Sequence, residues 1–187
     1  INKERAYGMN VVFIGASNFG ENCLKKILEI SEVSVTGVIT APRNFSINYD
    51  KKINNVSNVL HVDLMSICKK HNIPMTLIDD KGMKNSFLFE TAKSWKPDLF
   101  LVAGWYHIIP EIWRDLAPAY GLHASLLPDY SGGAPLVWAI INGETKTGIT
   151  LFKFDAGVDS GPIVGQEVTA IEETDTIKSL YSRVETL

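Results

Sequence analysis

The chain has 187 residues, of which 45% are apolar and 21% are charged, and its formal net charge is -3. A chain of this size and composition can bury the core of one domain. Its apolar runs are too short to span a bilayer, which excludes a membrane-spanning protein. Its net charge is negative, so it provides no overall positive potential and nucleic acid is disfavoured as a partner.

The start of the chain and its two cysteines narrow the class further. The first eight residues, INKERAYG, lack the apolar segment of a secretory signal, so residues 1–8 are interpreted as an extension or tag remnant before Met9. Cys23 and Cys68 fall on apolar helix faces and lack zinc-site spacing. We therefore expect a cytoplasmic protein with reduced cysteines and no metal.

Buried strands and amphipathic helices alternate through the first 116 residues. The predicted elements are strand 10–15, helix 19–28, strand 35–40, helix 62–70, strand 74–78, helix 83–95, strand 98–104 and helix 111–116. This alternation predicts a mostly parallel sheet with helices on both faces. Residues 41–58 are polar and rich in asparagine, and they predict a long loop.

The rest of the chain is less regular. A strand end near residues 120–123 leads into a loop rich in glycine and proline, and a helix follows at residues 135–141. Strands are predicted at 149–154 and 163–168 after the turn NGETKTG, with a last helix from about residue 175. That helix carries no glycine or proline stop signal, so we expect the sequence to be the front of something longer.

Four segments follow predicted strands with residues that are unusual in plain connections. They are GASNFG at 15–20, GWYHIIP at 104–110, GLHASLLPDYSGG at 121–133 and DAGVDSG at 155–161. Ligands of open parallel sheets bind beyond the carboxyl ends of the strands, so we expect these segments at one edge. GASNFG lacks the GxGxxG spacing and predicts a turn with Ser17 or Asn18 as helix cap.

His123 is the leading candidate for catalysis, because it stands between a strand end and a loop of turn-forming residues. A carboxylate that reaches an imidazole can orient it for proton transfer, and Asp159 is the first candidate for this role. Asp155 competes for the same role, and a simple turn function remains open for either aspartate.

The segment GWYHIIP combines two aromatic residues with a histidine. Core packing is one interpretation of Trp105, Ile108 and Ile109. An apolar slot for a flat heterocycle is the other, because ligand pockets are mostly apolar with a few convergent polar groups. His107 is expected to lie at the surface or in the core.

Several motifs resemble those of the formyltransferase family that takes its formyl group from formyltetrahydrofolate. They are HASLLP followed by a glycine pair and AP, then WAIINGETKTGIT, then DAGVDSGPI. The similarity runs in the same order from NVVFIGASNFG to the last helix. The family includes glycinamide ribonucleotide transformylase, methionyl-tRNA formyltransferase and nucleotide-sugar N-formyltransferases.

The resemblance implies an α/β fold, a Rossmann-like three-layer domain over residues 9–187 with a mostly parallel sheet of about seven strands. It also implies formyltetrahydrofolate as formyl donor, with its pterin in a pocket walled by the segment LVAGWYHIIP and the loop 155–161. The donor-binding residues implied by the match are Trp105, Tyr106, Ile108, Ile109, Ser125, Leu126, Leu127, Pro128, Asp155 and Val158.

The family's catalytic set of asparagine, histidine and aspartate is only partly present. The histidine corresponds to His123 and the aspartate to Asp159, whereas the asparagine corresponds to Gly121. Formyl transfer develops negative charge on the formyl oxygen, and loss of one hydrogen-bond donor to such an oxygen costs about a hundred- to a thousandfold in rate.

Three explanations of this departure stay open. Protonated His123 carries the oxyanion with help from a backbone amide or Ser125, another polar side chain replaces the asparagine, or the site transfers formyl groups poorly. We expect some formyl transfer to be retained, because His123, Asp159 and the SLLP loop are present.

The acceptor is expected to be a small-molecule primary amine. LVWAIINGETKTGIT is closer to the nucleotide-sugar enzymes than to the tRNA enzymes, which favours an amino-sugar nucleotide. Methionyl-tRNA is the alternative, and it regains weight if the chain is a fragment. A formyltetrahydrofolate hydrolase and a folate-binding module with lapsed catalysis are further alternatives. No membrane partner is expected, and a homodimer is a candidate assembly.

Overall fold

The structure is a computed structural model that describes residues 8–45 and 56–187. The chain divides into two compact units, Ile1–Pro118 and Ala119–Leu187. The predicted extension at residues 1–8 therefore lies almost wholly outside the described residues, as does much of the predicted loop 41–58.

The first unit alternates strands and helices as the sequence predicts. Its elements are β1 (Met9–Ile14), α1 (Asn18–Leu28), β2 (Val33–Thr40), β3 (Asn44–Phe45), β4 (Val56–Ser57), α2 (Met65–His71), β5 (Met75–Leu77), a 3₁₀ turn (Gly82–Lys84), α3 (Ser86–Ser94), β6 (Leu99–Ala103) and α4 (Glu111–Leu116). Four strands pair in parallel in the order β5-β2-β1-β6, which confirms the predicted parallel pairing.

Buried apolar side chains on both faces stabilise this parallel sheet. Phe13 of β1 and Phe100 of β6 are fully buried, as expected of strands that are covered on both sides. Trp113 of α4 is also fully buried, and its Nε1 donates a hydrogen bond to the Met83 carbonyl over 2.9 Å.

Burial raises the pKa of the Cys68 thiol to about 11, so this cysteine stays protonated at neutral pH.

Two helix starts in the first unit are set by capping side chains. Ser17 caps α1, because its Oγ accepts a hydrogen bond from the Gly20 amide over 3.3 Å, which confirms the predicted cap. The helix predicted over 83–95 instead begins as a 3₁₀ turn and restarts at α3. The reason is Asn85, whose Oδ1 accepts from the amide of Phe87 over 2.8 Å and so opens a new helix.

The second unit is an antiparallel sheet with two helices. Its elements are β7 (Ala119–His123), α5 (Pro135–Ile141), β8 (Lys146–Lys153), β9 (Ile163–Ala170) and α6 (Ile177–Val184). β8 pairs antiparallel with β7 on one side and with β9 on the other. β8 starts three residues earlier than predicted, because Lys146 and Thr147 of the expected turn already pair with β9.

The register of these three strands decides which side chains share a face. Gly121 pairs with Phe152, His123 pairs with Thr150, and Thr150 pairs with Gln166 on the other side. Directly paired residues point to the same face of a sheet, and residues two apart on one strand do so as well. Gly121, His123, Thr150, Phe152 and Gln166 therefore line one face, called the His123 face below.

An ion pair between Arg183 and Asp175 stabilises the last helix, α6. Arg183 donates hydrogen bonds of 2.7 and 2.8 Å to the two carboxylate oxygens of Asp175, whose side chain is almost fully covered. Thr176 and Ser179 complete a capping box at the start of the helix. The guanidinium of Arg183, with the Glu172 amide and the Ser179 hydroxyl, holds the pKa of Asp175 well below its usual value.

The low pKa of Asp175 predicts a pH-dependent contribution to stability. A carboxyl with a lowered folded-state pKa stabilises the fold above its unfolded pKa of about 4, and that contribution is lost as the pH falls towards the folded value. Thermal unfolding of the wild type and of Asp175→Asn should differ clearly at pH 7 and less with each step below pH 4. Asp80→Asn, at an exposed carboxyl, is the control, and a wild-type advantage independent of pH would contradict the assignment.

Among residues 8–45 and 56–187, none of the helices combines the length and apolar character needed to reach across a membrane.

Candidate active site

His123 is the last residue of β7, and both of its ring nitrogens face oxygen atoms. Nε2 lies 2.8 Å from the Tyr130 carbonyl oxygen, and Nδ1 lies 3.5 Å from Asp159 Oδ2. Because a carbonyl oxygen only accepts, the Nε2 atom must carry the proton of this hydrogen bond. A second proton, on Nδ1, would point towards the carboxylate. The His123 side chain is 12% exposed, so it remains accessible to a small molecule.

Asp159 is held by the backbone of the loop that follows His123. Its Oδ2 accepts a hydrogen bond of 2.8 Å from the Gly132 amide, in addition to facing the imidazole. The φ angle of Asp159 is +52°, in the left-handed region that non-glycine residues seldom adopt. Such backbone strain is concentrated at functional sites, where the surrounding structure holds the residue in place.

Asp155, the other aspartate of DAGVDSG, forms a local turn. Its Oδ1 accepts hydrogen bonds of 2.9 Å from the Gly157 amide and from the Ser160 hydroxyl. This is the pattern of an aspartate that folds its own loop. The structure thus brings Asp159, and not Asp155, to His123.

Thr150 is the centre of a buried hydrogen-bond network on the His123 face. Its hydroxyl donates to the Ser125 carbonyl over 2.6 Å and accepts from the Leu127 amide over 3.1 Å. The side-chain amide of Gln166 donates to Thr150 Oγ1 over 2.9 Å and to the Leu127 carbonyl over 2.8 Å. These bonds fix the backbone of the SLLP segment directly after His123.

The SLLP side chains differ in exposure. Ser125 is fully buried, and its hydroxyl donates to the Asp129 carbonyl over 2.7 Å. Help from this hydroxyl at the oxyanion, an option within one of the three explanations, would therefore require it to give up the bond to Asp129. Leu127 is also buried, whereas Leu126 is half-buried and Pro128 is exposed, as is Val158 of the neighbouring loop.

The residues 130–134, called the 130–134 loop below, connect His123 to Asp159. Tyr130, Gly132 and Ala134 all have positive φ angles, of 55°, 89° and 53°. The Tyr130 hydroxyl donates to Glu144 over 2.7 Å and accepts from the Asn142 side chain over 3.1 Å. The loop is thus anchored at its outer side while its backbone holds both His123 and Asp159.

Gly121 has no room for a side chain. A Cβ atom built on it would lie 2.7 Å from Cζ of the Phe154 ring and 3.4 Å from Cε1 of Phe152. Real Cβ atoms do not approach other carbon atoms as closely as 3.0 Å, so the Phe154 ring already takes this space. An aromatic ring therefore stands where a side chain of residue 121 would project.

The segment GWYHIIP forms an aromatic group in the first unit. The rings of Trp105 and Tyr106 stack with centroids 6.0 Å apart, and the His107 ring lies 5.2 and 5.1 Å from them. Asn58 donates a long hydrogen bond of 3.5 Å to the Tyr106 hydroxyl. The phenol's pKa is raised by burial, so it stays a neutral hydroxyl.

Two polar atoms of this aromatic group lack partners. Within the described residues, Trp105 Nε1 and His107 Nε2 are buried and make no hydrogen bond. Burial lowers the pKa of His107, so its ring is neutral at pH 7. Ile109 is buried in the core, in line with the core-packing interpretation of this segment, whereas Ile108 is 80% exposed. Buried polar groups nearly always have a partner, so these two atoms have the capacity to bond a ligand.

Four residues of the second unit were missed by the sequence analysis: Tyr130, Thr150, Phe154 and Gln166. A signal for two of them exists, because Thr150 and Gln166 are polar residues inside predicted strands, where a polar side chain requires a partner. No comparable signal marks Phe154, whose contact with Gly121 depends on strand register. Over the described ranges, no cluster of three or more His, Cys, Asp or Glu residues could hold a metal ion.

Comparison with known protein families was informative over almost the whole chain. The family model described as "Formyl transferase" matches residues 9–187. The chain is 33% identical over 178 residues to the methionyl-tRNA formyltransferase of Kosmotoga olearia, with 94% of this chain and 54% of that protein covered. It is 34% identical over 176 residues to that of Azobacteroides pseudotrichonymphae, with 93% and 51% covered. The chain spans about half the length of these curated relatives.

Solved structures resemble the chain at lower identity. Glycinamide ribonucleotide transformylase 1 from Symbiobacterium toebii matches with a TM-score of 0.78 and 19% identity, over 100% of this chain and 84% of that one. A formyltetrahydrofolate deformylase from Pseudomonas syringae pv. tomato matches with a TM-score of 0.77 and 21% identity, over 97% and 57%. At these identities the likeness shows the fold, and it confirms the predicted α/β formyltransferase fold with about seven sheet strands.

Proposed function

Because the chain belongs to the formyl transferase family, we propose that it transfers a formyl group from formyltetrahydrofolate to a primary amine. The observation that carries this proposal is the approach of His123 to Asp159, with Nδ1 and Oδ2 3.5 Å apart and the Nε2 proton in a hydrogen bond. An imidazole that is oriented by a carboxylate is the usual means of moving a proton near neutral pH.

The reaction requires one proton to move between two nitrogen atoms. Formyltetrahydrofolate supplies, when bound, a formyl group on a nitrogen atom that can leave. The carbon–nitrogen bond to the acceptor forms, the bond to the donor nitrogen breaks, and one proton passes from the acceptor nitrogen to the donor nitrogen. In the charged form of the ring, with a proton on each nitrogen, His123 can give the proton of Nε2 to the leaving nitrogen and then take one from the amine. Asp159, which faces Nδ1, stabilises that charged form.

The aromatic group of Trp105, Tyr106 and His107 fits a flat heterocycle such as a pterin. Aromatic rings provide stacking surface, and the unpartnered atoms Trp105 Nε1 and His107 Nε2 provide hydrogen bonds that fix orientation. The neutral state of His107 suits an uncharged ligand edge. We propose that these three residues hold the heterocycle of the donor.

The choice of acceptor is supported by the curated relatives. Those relatives are named methionyl-tRNA formyltransferases, which favours the amine of methionyl-tRNA as acceptor over the amino-sugar nucleotide that the sequence motifs suggest first. Since the chain spans about half of these proteins, the tRNA contacts of the whole relative belong to this proposal as well. The amino-sugar nucleotide remains the second acceptor to be tested.

The proposal is tested by incubating the protein with formyltetrahydrofolate and one acceptor at a time. Methionyl-tRNA, an amino-sugar nucleotide and no acceptor are the three arms, with mass spectrometry of the acceptor and a formate assay as measurements. A formylated amine supports the proposal and identifies the acceptor class. Formate release in the arm without acceptor identifies a hydrolase, and absence of any product despite donor binding identifies a binding module; both results would overturn the transferase proposal.

A further inference from the structure

The aromatic ring of Phe154 occupies the space into which a side chain at position 121 would project. We propose that this exchange gives the His123 face an aromatic wall where a hydrogen-bonding side chain would otherwise stand, and that His123 is therefore the one side chain on this face that can donate a hydrogen bond to the formyl oxygen. The inference rests on the proposed formyl transfer. It names Phe154 as the residue that excludes a side chain from position 121.

The position of the Phe154 ring follows from the strand register. Phe152 is paired with Gly121, and Phe154 comes two residues later, so the alternation of side chains directs it to the His123 face. The two rings pack with centroids 4.9 Å apart and an angle of 49° between their planes. The backbone amide of Phe154 is bound to the Ala119 carbonyl over 2.8 Å, which holds the residue beside β7.

In the other polar side chains of the His123 face, every hydrogen-bond donor is already bound to an acceptor within the protein. Thr150 has a single hydroxyl proton, and it donates this proton to the Ser125 carbonyl. Gln166 has two amide protons, and these go to the Leu127 carbonyl and to Thr150 Oγ1. Both sets of bonds fix the SLLP backbone, so a change of partner would leave buried carbonyl groups without a donor, which is unfavourable.

His123 is different from these two residues. Its Nε2 proton is bound to one carbonyl of the 130–134 loop, and its side chain is 12% exposed, so a substrate oxygen can replace that carbonyl. Asp159 Oδ2 faces Nδ1 over 3.5 Å and would accept a hydrogen bond from a proton on that nitrogen. Among the described residues of the His123 face, His123 is thus the one available hydrogen-bond donor.

A double-mutant cycle tests the packing part of this inference without any assay of activity. The variants are G121N, F154A and G121N/F154A, measured by thermal unfolding. We expect G121N to lower the Tm of the wild type strongly and to lower that of F154A much less, because the ring is then absent. Additive effects of the two substitutions would contradict the packing. The control is G165N on β9, where a new side chain meets open space; it should add independently to F154A.

The same variants test the chemical part through formyl transfer. Since one well-placed donor to an oxyanion is worth about a hundred- to a thousandfold in rate, kcat of G121N/F154A should exceed that of F154A by at least about tenfold. G121N alone should lose activity, because its side chain cannot enter the space held by the ring. A G121N enzyme as active as the double variant would overturn the inference. Failure of the wild type and of every variant to transfer formyl groups would overturn the proposed function, and the Tm cycle would still decide the packing.

Discussion

Substitution of His123 by alanine is expected to lower kcat for formyl transfer by about a hundred- to ten-thousandfold, the range of general acid–base catalysis. The expectation is at the upper end of this range, because the proposals give His123 two roles, the proton transfer and the hydrogen bond to the formyl oxygen. Rate measurements under saturating donor and acceptor would isolate kcat. The KM for the donor should change little, because the heterocycle is assigned to Trp105, Tyr106 and His107.

The matched control for this experiment is His71→Ala. His71 is the exposed last residue of α2 and should be replaceable without effect on kcat. Asp159→Asn should have an intermediate effect, since an amide can still face the imidazole but no longer balances its charge. If His123→Ala kept the wild-type rate while remaining folded, proton transfer by this residue would be excluded, and the amine would have to lose its proton to water.

The second large effect is expected from Thr150→Val, measured as a loss of stability in urea. Valine has nearly the shape of threonine but cannot take part in the hydrogen bonds to the Ser125 carbonyl, the Leu127 amide and the Gln166 side chain. A buried polar group that loses its partner costs about 1 to 3 kcal/mol, so three such groups make this a severe substitution. The SLLP backbone should also shift, and kcat should fall with it.

Thr40→Val is a direct comparison for the same chemical change. Within the described residues, the buried hydroxyl of Thr40 at the end of β2 has no hydrogen-bond partner. Removing it should be neutral or slightly stabilising, because an unsatisfied hydroxyl is replaced by a methyl group. Equal losses of unfolding free energy in the two variants would show that the Thr150 network does not stabilise the loop.

Much of the first unit could be predicted from the sequence because its signals are local. The apolar run before Gly15 predicts a buried strand, and Ser17 is a helix cap that can be recognised from residue type and position alone. The restart of a helix at Asn85 was missed, since the apolar spacing continues through it and the competing signal is a single capping side chain.

The sequence identifies a residue of the candidate active site only where no similar residue stands in the same segment. His123 is unique in its segment, whereas Asp155 and Asp159 stand in similar surroundings in DAGVDSG and differ only in what lies next to them in three dimensions. The contact between Gly121 and Phe154 depends on the pairing of two strands that are far apart in sequence. A shift of the register by one residue would send Phe154 to the opposite face, so no local pattern reveals this contact.

The 130–134 loop holds His123 and Asp159 through main-chain atoms, the Tyr130 carbonyl and the Gly132 amide. Both bonds use main-chain atoms, which every residue type except proline can supply as donor and acceptor. The φ angle of 89° nevertheless favours glycine at position 132, and the Tyr130 hydroxyl anchors the loop, so the freely exchangeable positions lie elsewhere in it. Ser131 is exposed and makes neither bond, so substitutions there can change the surface of the loop. His123 and Asp159 would stay in place, so under the proposed function acceptor preference and proton chemistry can diverge separately in one scaffold.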